Sequence, residues 1–355
     1  MRRQLTIGMV GGGQLGRMLG MAAARLGHRM IVLEPGVDAP AALVAADHLV
    51  ADYDDPVALD ELAARCDVVT YEFENVPVEA ARRLAERVTL APGARSLEVA
   101  QDRLVEKRAL NDLGIGTAPF APVDSVAELR QALDALGGEA LLKTRRLGYD
   151  GKGQVRVGAD DDLDAVLGEV GDVPCIAEGL VPFVAEISVI GARSVDGAFV
   201  HFDPPRNEHR DGILATSTVP AGVPPSAVDQ AVAATRAVLD DLDHVGVLAV
   251  ELFVLDDGTV LANEIAPRVH NSGHWTEALC SIDQFELHIR AITGAPLPTP
   301  TRHADGVMTN LIGDDVLAVA DWAADPAVRI HLYGKAEARP GRKMGHVTRV
   351  APLAD

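Results

Sequence analysis

Cysteine, aromatic side chains and basic side chains are all scarce in this chain of 355 residues. The cysteines, Cys66, Cys175 and Cys280, form no CxxC pair, so the sequence predicts neither a disulfide framework nor a cysteine-rich zinc site. Reduced thiols suit a cytoplasmic protein. Lysine and arginine total 32 against 52 acidic residues, and the resulting net charge of −20 disfavours binding to nucleic acid or to anionic membranes.

Long apolar runs are also missing. The apolar run over residues 5–10 ends at Gly11 and is too short and too polar at its end for a secretory signal. No window reaches about 18 uninterrupted apolar residues, so we expect no transmembrane helix. The apolar fraction of 48% is nevertheless that of an ordinary globular protein.

The pattern of strands and helices predicts an α/β fold in the form of three consecutive regions. Residues 1–100 alternate short apolar strands with helices, which indicates a doubly wound parallel sheet. Residues 101–297 shift to strands typical of a mixed or antiparallel sheet. A proline-rich linker, Pro296 to Pro300, precedes a tail, 298–355, that is too small for a large core and is expected to pack on the rest.

A glycine-rich turn follows the first strand. Gly11 to Gly16 fits the G-x-G-x-x-G pattern, and Glu34 ends the next strand at the spacing of a dinucleotide-binding fold. A dinucleotide site, a tight turn without any ligand, and a site for another phosphorylated ligand all satisfy this pattern. The residues of the turn alone leave these alternatives open.

Two carboxylates on a predicted hairpin indicate a cation site. Glu251 and Glu264 lie on the two arms around the turn 256–258, so we expect them to lie near each other across the strands. Paired carboxylates in a sheet are costly unless a cation or a proton neutralises them, and Mg²⁺ together with substrate phosphates is the natural partner. Upstream, Lys143 and the glycine loop 148–154 could hold those phosphates.

Other charged residues are weaker signals by themselves. Arg103 and Lys107 are spaced i, i+4 on a predicted helix, a pattern typical of a solvated face. Lys335 and Arg342 belong to a basic cluster in the tail, which indicates either an anion site or ordinary surface.

In combination, Lys143, the loop 148–154, Glu251 and Asn263–Glu264 resemble the ATP-grasp superfamily. Within it the chain is similar, along nearly its whole length, to the N5-carboxyaminoimidazole ribonucleotide synthetases of purine biosynthesis. The motifs that carry this resemblance lie at 12–17, 71–75, 148–153, 263–268 and 270–276. At Ala266 many ATP-grasp carboxylases have asparagine, and this departure points away from biotin carboxylase.

The resemblance implies a pre-ATP-grasp domain, an ATP-grasp domain with a small glycine-loop lid over about 120–182, and a small C-terminal domain. It implies an ATP-dependent carboxylation of 5-aminoimidazole ribonucleotide by bicarbonate through carboxyphosphate, in a cytoplasmic homodimer that takes small-molecule substrates. A sibling ligase, such as the formate-using glycinamide ribonucleotide transformylase, is the alternative within the class. An NAD-dependent oxidoreductase and an inactive nucleotide-binding module are the alternatives outside it.

Site residues follow from the same resemblance. Those implied to hold ATP are Arg103, Lys143, Gly148, Tyr149, Asp150, Gly151, Lys152, Gly153, Gln154, Glu178, Gly179, Leu180, Val181, Glu186, His209, Asn263 and Glu264. Those implied to surround bicarbonate, carboxyphosphate and the attacking amine are Asp150, Lys152, Arg268, His270 and Asn271. Those implied to hold the nucleotide substrate are Gln14, Leu15, Glu72, Lys335 and Arg342, and those implied to bind Mg²⁺ are Glu251 and Glu264.

Overall fold

A computed structural model describes residues 4–148 and 151–354 of the chain. In this part of the chain no helix is both long enough and apolar enough to cross a membrane.

The N-terminal unit is a parallel sheet with the strand order β3-β2-β1-β4-β5, as the alternating pattern predicts. Its strands are β1 Thr6–Val10, β2 Arg29–Leu33, β3 Asp47–Leu49, β4 Val68–Tyr71 and β5 Thr89–Leu90. The central strands are buried on both faces, which is why they read as continuous apolar runs. The helices of this unit are α1 Gln14–Arg25, α2 Pro56–Arg65, α3 Val78–Ala85 and α4 Ala94–Ala100.

A small antiparallel sheet follows helix α5, Arg103–Asp112, whose N-cap is the side chain of Asp102. The sheet has the order β6-β9-β7-β8 and is covered by helices α6 and α7. Its elements are β6 Phe120–Val123, α6 Val126–Leu136, β7 Glu139–Thr144, β8 Gln154–Gly158, α7 Leu163–Val170 and β9 Cys175–Gly179. The glycine loop therefore connects β7 to β8, two neighbouring strands of this sheet.

The central sheet is antiparallel and runs in the order β15-β14-β10-β12-β13-β16-β18-β17, with β11 paired to β10. Its elements before the proline-rich linker are β10 Phe183–Arg193, β11 Phe199–His201, β12 Arg206–Arg210, β13 Ile213–Val219, α8 Pro225–Asp241, β14 Gly246–Leu255, β15 Val260–Ala266, α9 Thr276–Leu279 and α10 Gln284–Ile292.

The tail continues this central sheet. It contributes β16 Asp305–Ile312, α11 Val319–Ala323, β17 Val328–Leu332 and β18 Lys343–Ala351, and β16 pairs directly with β13. Met308 and Tyr333 of the tail are buried in one apolar cluster with Leu279 and Phe285. A segment of this size cannot bury much surface alone, and it gains its core by extending an existing sheet.

Candidate active site

A cavity of about 660 Å³ opens where the N-terminal sheet, the small antiparallel sheet and the central sheet meet. This volume is typical of a small-molecule site. The site residues expected from the sequence that line it are Gln14, Leu15, Glu72, Arg103, Lys143, Gly148, Gly151, Gln154, Glu186, His209, Glu251, Asn263, Glu264, Arg268, His270 and Asn271. The structure thus brings together residues that are up to 257 positions apart in the sequence.

Some expected residues lie elsewhere. Lys152 and Gly153 of the glycine loop, and the segment from Glu178 to Val181, do not line the cavity. Tyr149 and Asp150 fall outside the described residues, so their predicted roles stay predictions.

Glu251 and Glu264 lie near each other, as predicted, and a shift of register beside Glu251 makes them direct partners in the hairpin formed by β14 and β15. Burial and the negative charge of Glu264 raise the pKa of Glu251 to about 7. Burial also opposes ionisation of Glu264, but the positive charge of Arg103, whose guanidinium donates to it at 2.8 Å, lowers its pKa to about 2. Near neutral pH the pair therefore carries between one and two negative charges. Arg103 balances the charge of Glu264, and ionised Glu251 can attract a further cation.

The segment that leaves β15 forms the adjoining part of the cavity wall. Arg268 pairs with Glu74, and the Nε2 atom of His270 lies 3.5 Å from Oε1 of Glu251. Burial, helped by the charge of Arg268, lowers the pKa of His270 to about 3, so this imidazole is neutral at physiological pH. The side-chain oxygen and nitrogen of Asn271 are buried and have no hydrogen-bond partner among the described residues. The cavity is thus lined by the neutral imidazole of His270, the guanidinium of Arg268 and the side-chain amide of Asn271, which has no hydrogen-bond partner among the described residues.

The prediction that Lys107 lies on a solvated helix face is wrong, because its side chain is 1% exposed. Its ammonium lies 3.2 Å from Oε2 of Glu178, and the ammonium of Lys143 lies 3.1 Å from the same oxygen. Lys107 also donates to the backbone carbonyl of Asn263 at 3.1 Å. The Glu178 carboxylate therefore holds two buried lysines, only one of which, Lys143, lines the cavity.

The glycine-rich turn after β1 is occupied by the chain's own carboxylates. Glu72 accepts hydrogen bonds from the backbone N–H groups of Gly13, at 2.5 Å, and Gly16, at 2.7 Å. Glu34 accepts from the N–H of Gly12 at 2.8 Å. A pyrophosphate bound in the dinucleotide mode needs these same donors at the start of α1. The geometry therefore contradicts the dinucleotide interpretation of this motif.

The basic cluster of the tail is only partly directed at the cavity. Lys343, the first residue of β18, lines the cavity, whereas Lys335 and Arg342 do not. Lys335 donates to the carbonyl of Lys343 at 2.7 Å, and Arg342 donates to the carbonyl of Glu337 at 2.9 Å. The predicted contacts of Lys335 and Arg342 with a substrate phosphate stay predictions.

Several cavity residues were not selected by sequence reasoning. Glu106 and Gln101 lie around the start of α5, and Glu74 lies after β4. Glu106 accepts from the N–H of Ile265 at 2.6 Å, and burial raises its pKa to about 8. Its only sequence signal is its place between Arg103 and Lys107, which a helical surface would share.

Comparison with known families defines the class of the protein. The sequence matches the models of a ribonucleotide synthetase pre-ATP-grasp domain over residues 4–101, an ATP-grasp domain over 108–285 and a phosphoribosylaminoimidazole carboxylase C-terminal domain over 306–355. With a cavity lined by paired carboxylates and buried cations, these matches define an ATP-grasp ligase.

Individual relatives narrow this class. An N5-carboxyaminoimidazole ribonucleotide synthase from Brucella melitensis is 56% identical over 98% of this chain and 96% of its own length. The Bacillus subtilis protein of the same name is 41% identical over 96% of this chain and 90% of its own length. A crystal structure of the Aspergillus clavatus synthase in complex with ADP and 5-aminoimidazole ribonucleotide matches with a TM-score of 0.93 at 33% identity, over 99% of this chain and 95% of that one.

The chain therefore belongs to the family of N5-carboxyaminoimidazole ribonucleotide synthetases. It is an ATP-binding carbon–nitrogen ligase of purine biosynthesis.

Proposed function

We propose that this protein uses ATP and bicarbonate to carboxylate the exocyclic amine of 5-aminoimidazole ribonucleotide. The γ-phosphoryl group passes to bicarbonate, giving carboxyphosphate and ADP, and the amine then takes the carboxyl group as phosphate leaves. The observation that carries this proposal is one cavity, lined also by Lys143, in which Arg103 contacts Glu264 and His270 lies beside Glu251. The identity of the substrates is inferred from membership of the family.

The residues of the cavity fit a magnesium ion. Two carboxylates stand directly opposite each other, and the pKa of Glu251 is raised chiefly by burial and then by the charge of Glu264, which a divalent cation would offset. Glu251 and Glu264 would hold the ion. When bound, Mg²⁺ neutralises charge on the phosphate oxygens during transfer.

The nucleotide side of the cavity is formed by cations and hydrogen-bonding groups. Arg103 and Lys143 would hold phosphate oxygens, together with Gly148, Gly151 and Gln154 of the glycine loop, which also line the cavity. Glu186 would bind the ribose hydroxyls, and His209, whose Nδ1 lies 2.8 Å from Oε2 of Glu186, would help to complete the nucleotide site. The side-chain oxygen of Asn263 is buried without a partner among the described residues, so it offers a further acceptor to the nucleotide.

The carboxylation side must keep carboxyphosphate from water and present it to the amine. Arg268 provides the positive charge that matches an anionic intermediate, and Glu74 orients its guanidinium. His270 is neutral and can accept or donate a hydrogen bond without adding charge. Asn271 supplies one donor and one acceptor that the described residues leave unused. We assign these residues to bicarbonate, carboxyphosphate and the amine.

The substrate nucleotide would bind at the N-terminal wall of the cavity. Gln14, Leu15 and Glu72 lie there, and Lys335 and Arg342 would reach its phosphate from the tail. We also propose a cytoplasmic homodimer, from the resemblance alone. Light scattering on the eluting protein would give twice the 37.4 kDa of one chain if this is right, and a single-chain mass would exclude the dimer.

The decisive experiment measures ADP release with ATP, Mg²⁺ and bicarbonate, with and without 5-aminoimidazole ribonucleotide. We expect strong stimulation by this nucleotide and none by glycinamide ribonucleotide with formate. ADP release that is insensitive to 5-aminoimidazole ribonucleotide would contradict the substrate assignment but retain the ATP-grasp chemistry.

The metal assignment is tested by Glu264→Gln against a matched control, Glu208→Gln. Glu208 is an exposed residue of the same sheet that does not line the cavity. Losing a metal ligand removes several kcal/mol of charge stabilisation, so we expect Glu264→Gln to slow ADP release by at least about 100-fold. Glu208→Gln should be near wild type. Full activity of Glu264→Gln would refute the assignment.

A further inference from the structure

Three side chains of the metal-ligand type converge outside the catalytic cavity. Glu277 lies on α9, and His331 and His346 lie on β17 and β18, and their ligand atoms are all within 4.8 Å of one another. Oε2 of Glu277 is 3.1 Å from Nδ1 of His331 and 3.6 Å from Nε2 of His346. We call this group the tail-hairpin cluster.

The backbone fixes the two histidines side by side. His331 and His346 are directly opposite in the antiparallel register of β17 and β18, and their rings stack with centroids 5.2 Å apart. Residues in such opposite positions have their Cβ atoms about 5 Å apart, so both rings stand on the same face of the sheet. Glu277 meets them from α9, which packs on β18. The three side chains could therefore bind one ion without a large rearrangement of the backbone.

One ring is held in the manner of a metal-bound histidine. Nδ1 of His346 lies 2.9 Å from the hydroxyl of Tyr333, which is itself fully buried. Histidine ligands commonly bind metal through one nitrogen while a hydrogen bond to the other fixes the orientation of the ring. With Nδ1 committed to Tyr333, Nε2 of His346 is directed at Glu277.

The cluster is also accessible from one side. The side chains of Glu277, His331 and His346 are 27%, 14% and 3% exposed, so the carboxylate lies at the surface and His346 at the base. An ion could enter past Glu277 and keep a water molecule there as a fourth ligand.

We propose that the tail-hairpin cluster binds one divalent transition metal ion of the zinc class. Two imidazoles and one carboxylate form a nitrogen-and-oxygen donor set that suits Zn²⁺, whereas Mg²⁺ prefers oxygen ligands alone. Bond lengths of about 2.0–2.1 Å require ligand atoms roughly 3.3 Å apart, and the two partly exposed side chains can close to this spacing.

The position of the cluster gives such an ion a structural role. The segment that carries His270 and Asn271 runs directly into α9, and Lys343 begins β18 three residues before His346. Both Asn271 and Lys343 line the catalytic cavity. A metal that joins α9 to β17 and β18 would thus clip the tail to the ATP-grasp region and hold these two walls at a constant separation.

The test uses tag-free, chelator-treated full-length protein without nucleotide, so it does not depend on carboxylase activity. Zn²⁺ is titrated calorimetrically, and Co²⁺ is added as a probe because tetrahedral Co²⁺ absorbs visible light far more strongly than octahedral Co²⁺ in an all-oxygen site. We expect one equivalent of Zn²⁺ per chain, an intense Co²⁺ band and a raised melting temperature.

His331→Gln and Glu277→Gln should each weaken Zn²⁺ binding by at least about tenfold and abolish the intense Co²⁺ band. His303→Gln is the matched control, since His303 is exposed and outside the cluster. Circular dichroism checks that each variant folds. If one of the two cluster variants does not fold, the other still tests the proposal. Wild-type protein without the intense band, or variants that bind like His303→Gln, would overturn the proposal.

Discussion

Replacing Glu178 with glutamine is expected to destabilise the protein more than any single loss of a surface charge. Its carboxylate is 5% exposed and lies 3.1 Å and 3.2 Å from the ammonium groups of Lys143 and Lys107. Breaking a buried ion pair by removing one partner costs about 3–5 kcal/mol, because the other charge stays buried without compensation. In Glu178→Gln two buried lysines lose their counter-ion at once.

The loss is limited by the lysines themselves. Burial already lowers the pKa of Lys143 below its ordinary value, so one ammonium can release its proton when Glu178 no longer holds it. We therefore expect about 3 kcal/mol near neutral pH. At about 2.1 cal/mol/K of unfolding entropy per residue, this corresponds to a fall of about 4 °C in melting temperature for a chain of 355 residues.

Glu139→Gln is the matched control. Glu139 lies on β7 of the same small sheet, and its carboxylate is 2.8 Å from Arg156, but the two side chains are 59% and 66% exposed. Exposed pairs contribute about 0–1 kcal/mol, so the melting temperature should fall by less than about 1.5 °C. The two variants have the same substitution in the same sheet and differ in how deeply the replaced carboxylate is buried.

The assay is thermal unfolding followed by circular dichroism at several pH values. In Glu178→Gln the buried Lys143 binds a proton less readily in the folded chain than in the unfolded chain, so stability rises with pH. The deficit relative to wild type should therefore shrink between about pH 7 and about pH 9. Equal losses in the two variants, or a deficit of Glu178→Gln that grows with pH, would refute this reasoning.

Further predictions concern pH and ligand specificity. The pKa of Glu106 is raised to about 8, so the folded chain holds a proton that the unfolded chain releases, and stability should fall as pH rises towards about 8. Glu106→Gln should flatten this fall in melting experiments; an unchanged slope would contradict it. Protons compete with cations at Glu251, whose pKa is about 7, so the Mg²⁺ concentration needed for ADP binding should rise as pH drops below about 7. A calorimetric titration that finds no pH dependence would exclude this coupling. Because Glu72 occupies the N–H groups of Gly13 and Gly16, titration with NADH should give no saturable fluorescence change. Saturable micromolar binding would reopen the dinucleotide interpretation.

Local features were predictable from the sequence where neighbours in the chain decide the structure. The alternation of strands and helices over residues 1–100 predicts a parallel sheet, and the structure has it. The turn at 256–258 sets the register of β14 and β15 as far as Leu252 and Ala262, so counting residues along the two arms places Glu251 near Glu264. Their direct pairing depends on a shift of register between Glu251 and Leu252, which counting does not give.

Pairings between distant segments could not be predicted in this way. Glu178 and Lys107 are 71 positions apart, and nothing in the i, i+4 spacing of Arg103 and Lys107 distinguishes a buried helix face from a solvated one. Lys107 is buried to 1% exposure where α5 packs on β15 and where Glu178 of β9 reaches its ammonium.

The glycine-rich turn shows the same division between sequence and tertiary structure. By itself, the sequence determined that a tight turn would open a helix after β1, because the glycines and the periodicity are local properties. Whether the N–H groups of that turn bind a cofactor was decided by Glu72, 56 and 59 residues away, whose carboxylate reaches them only when β4 packs beside β1. Strand order and long-range packing bring such partners together, since hydrogen bonds and ion pairs depend on distance in space and not on separation along the chain.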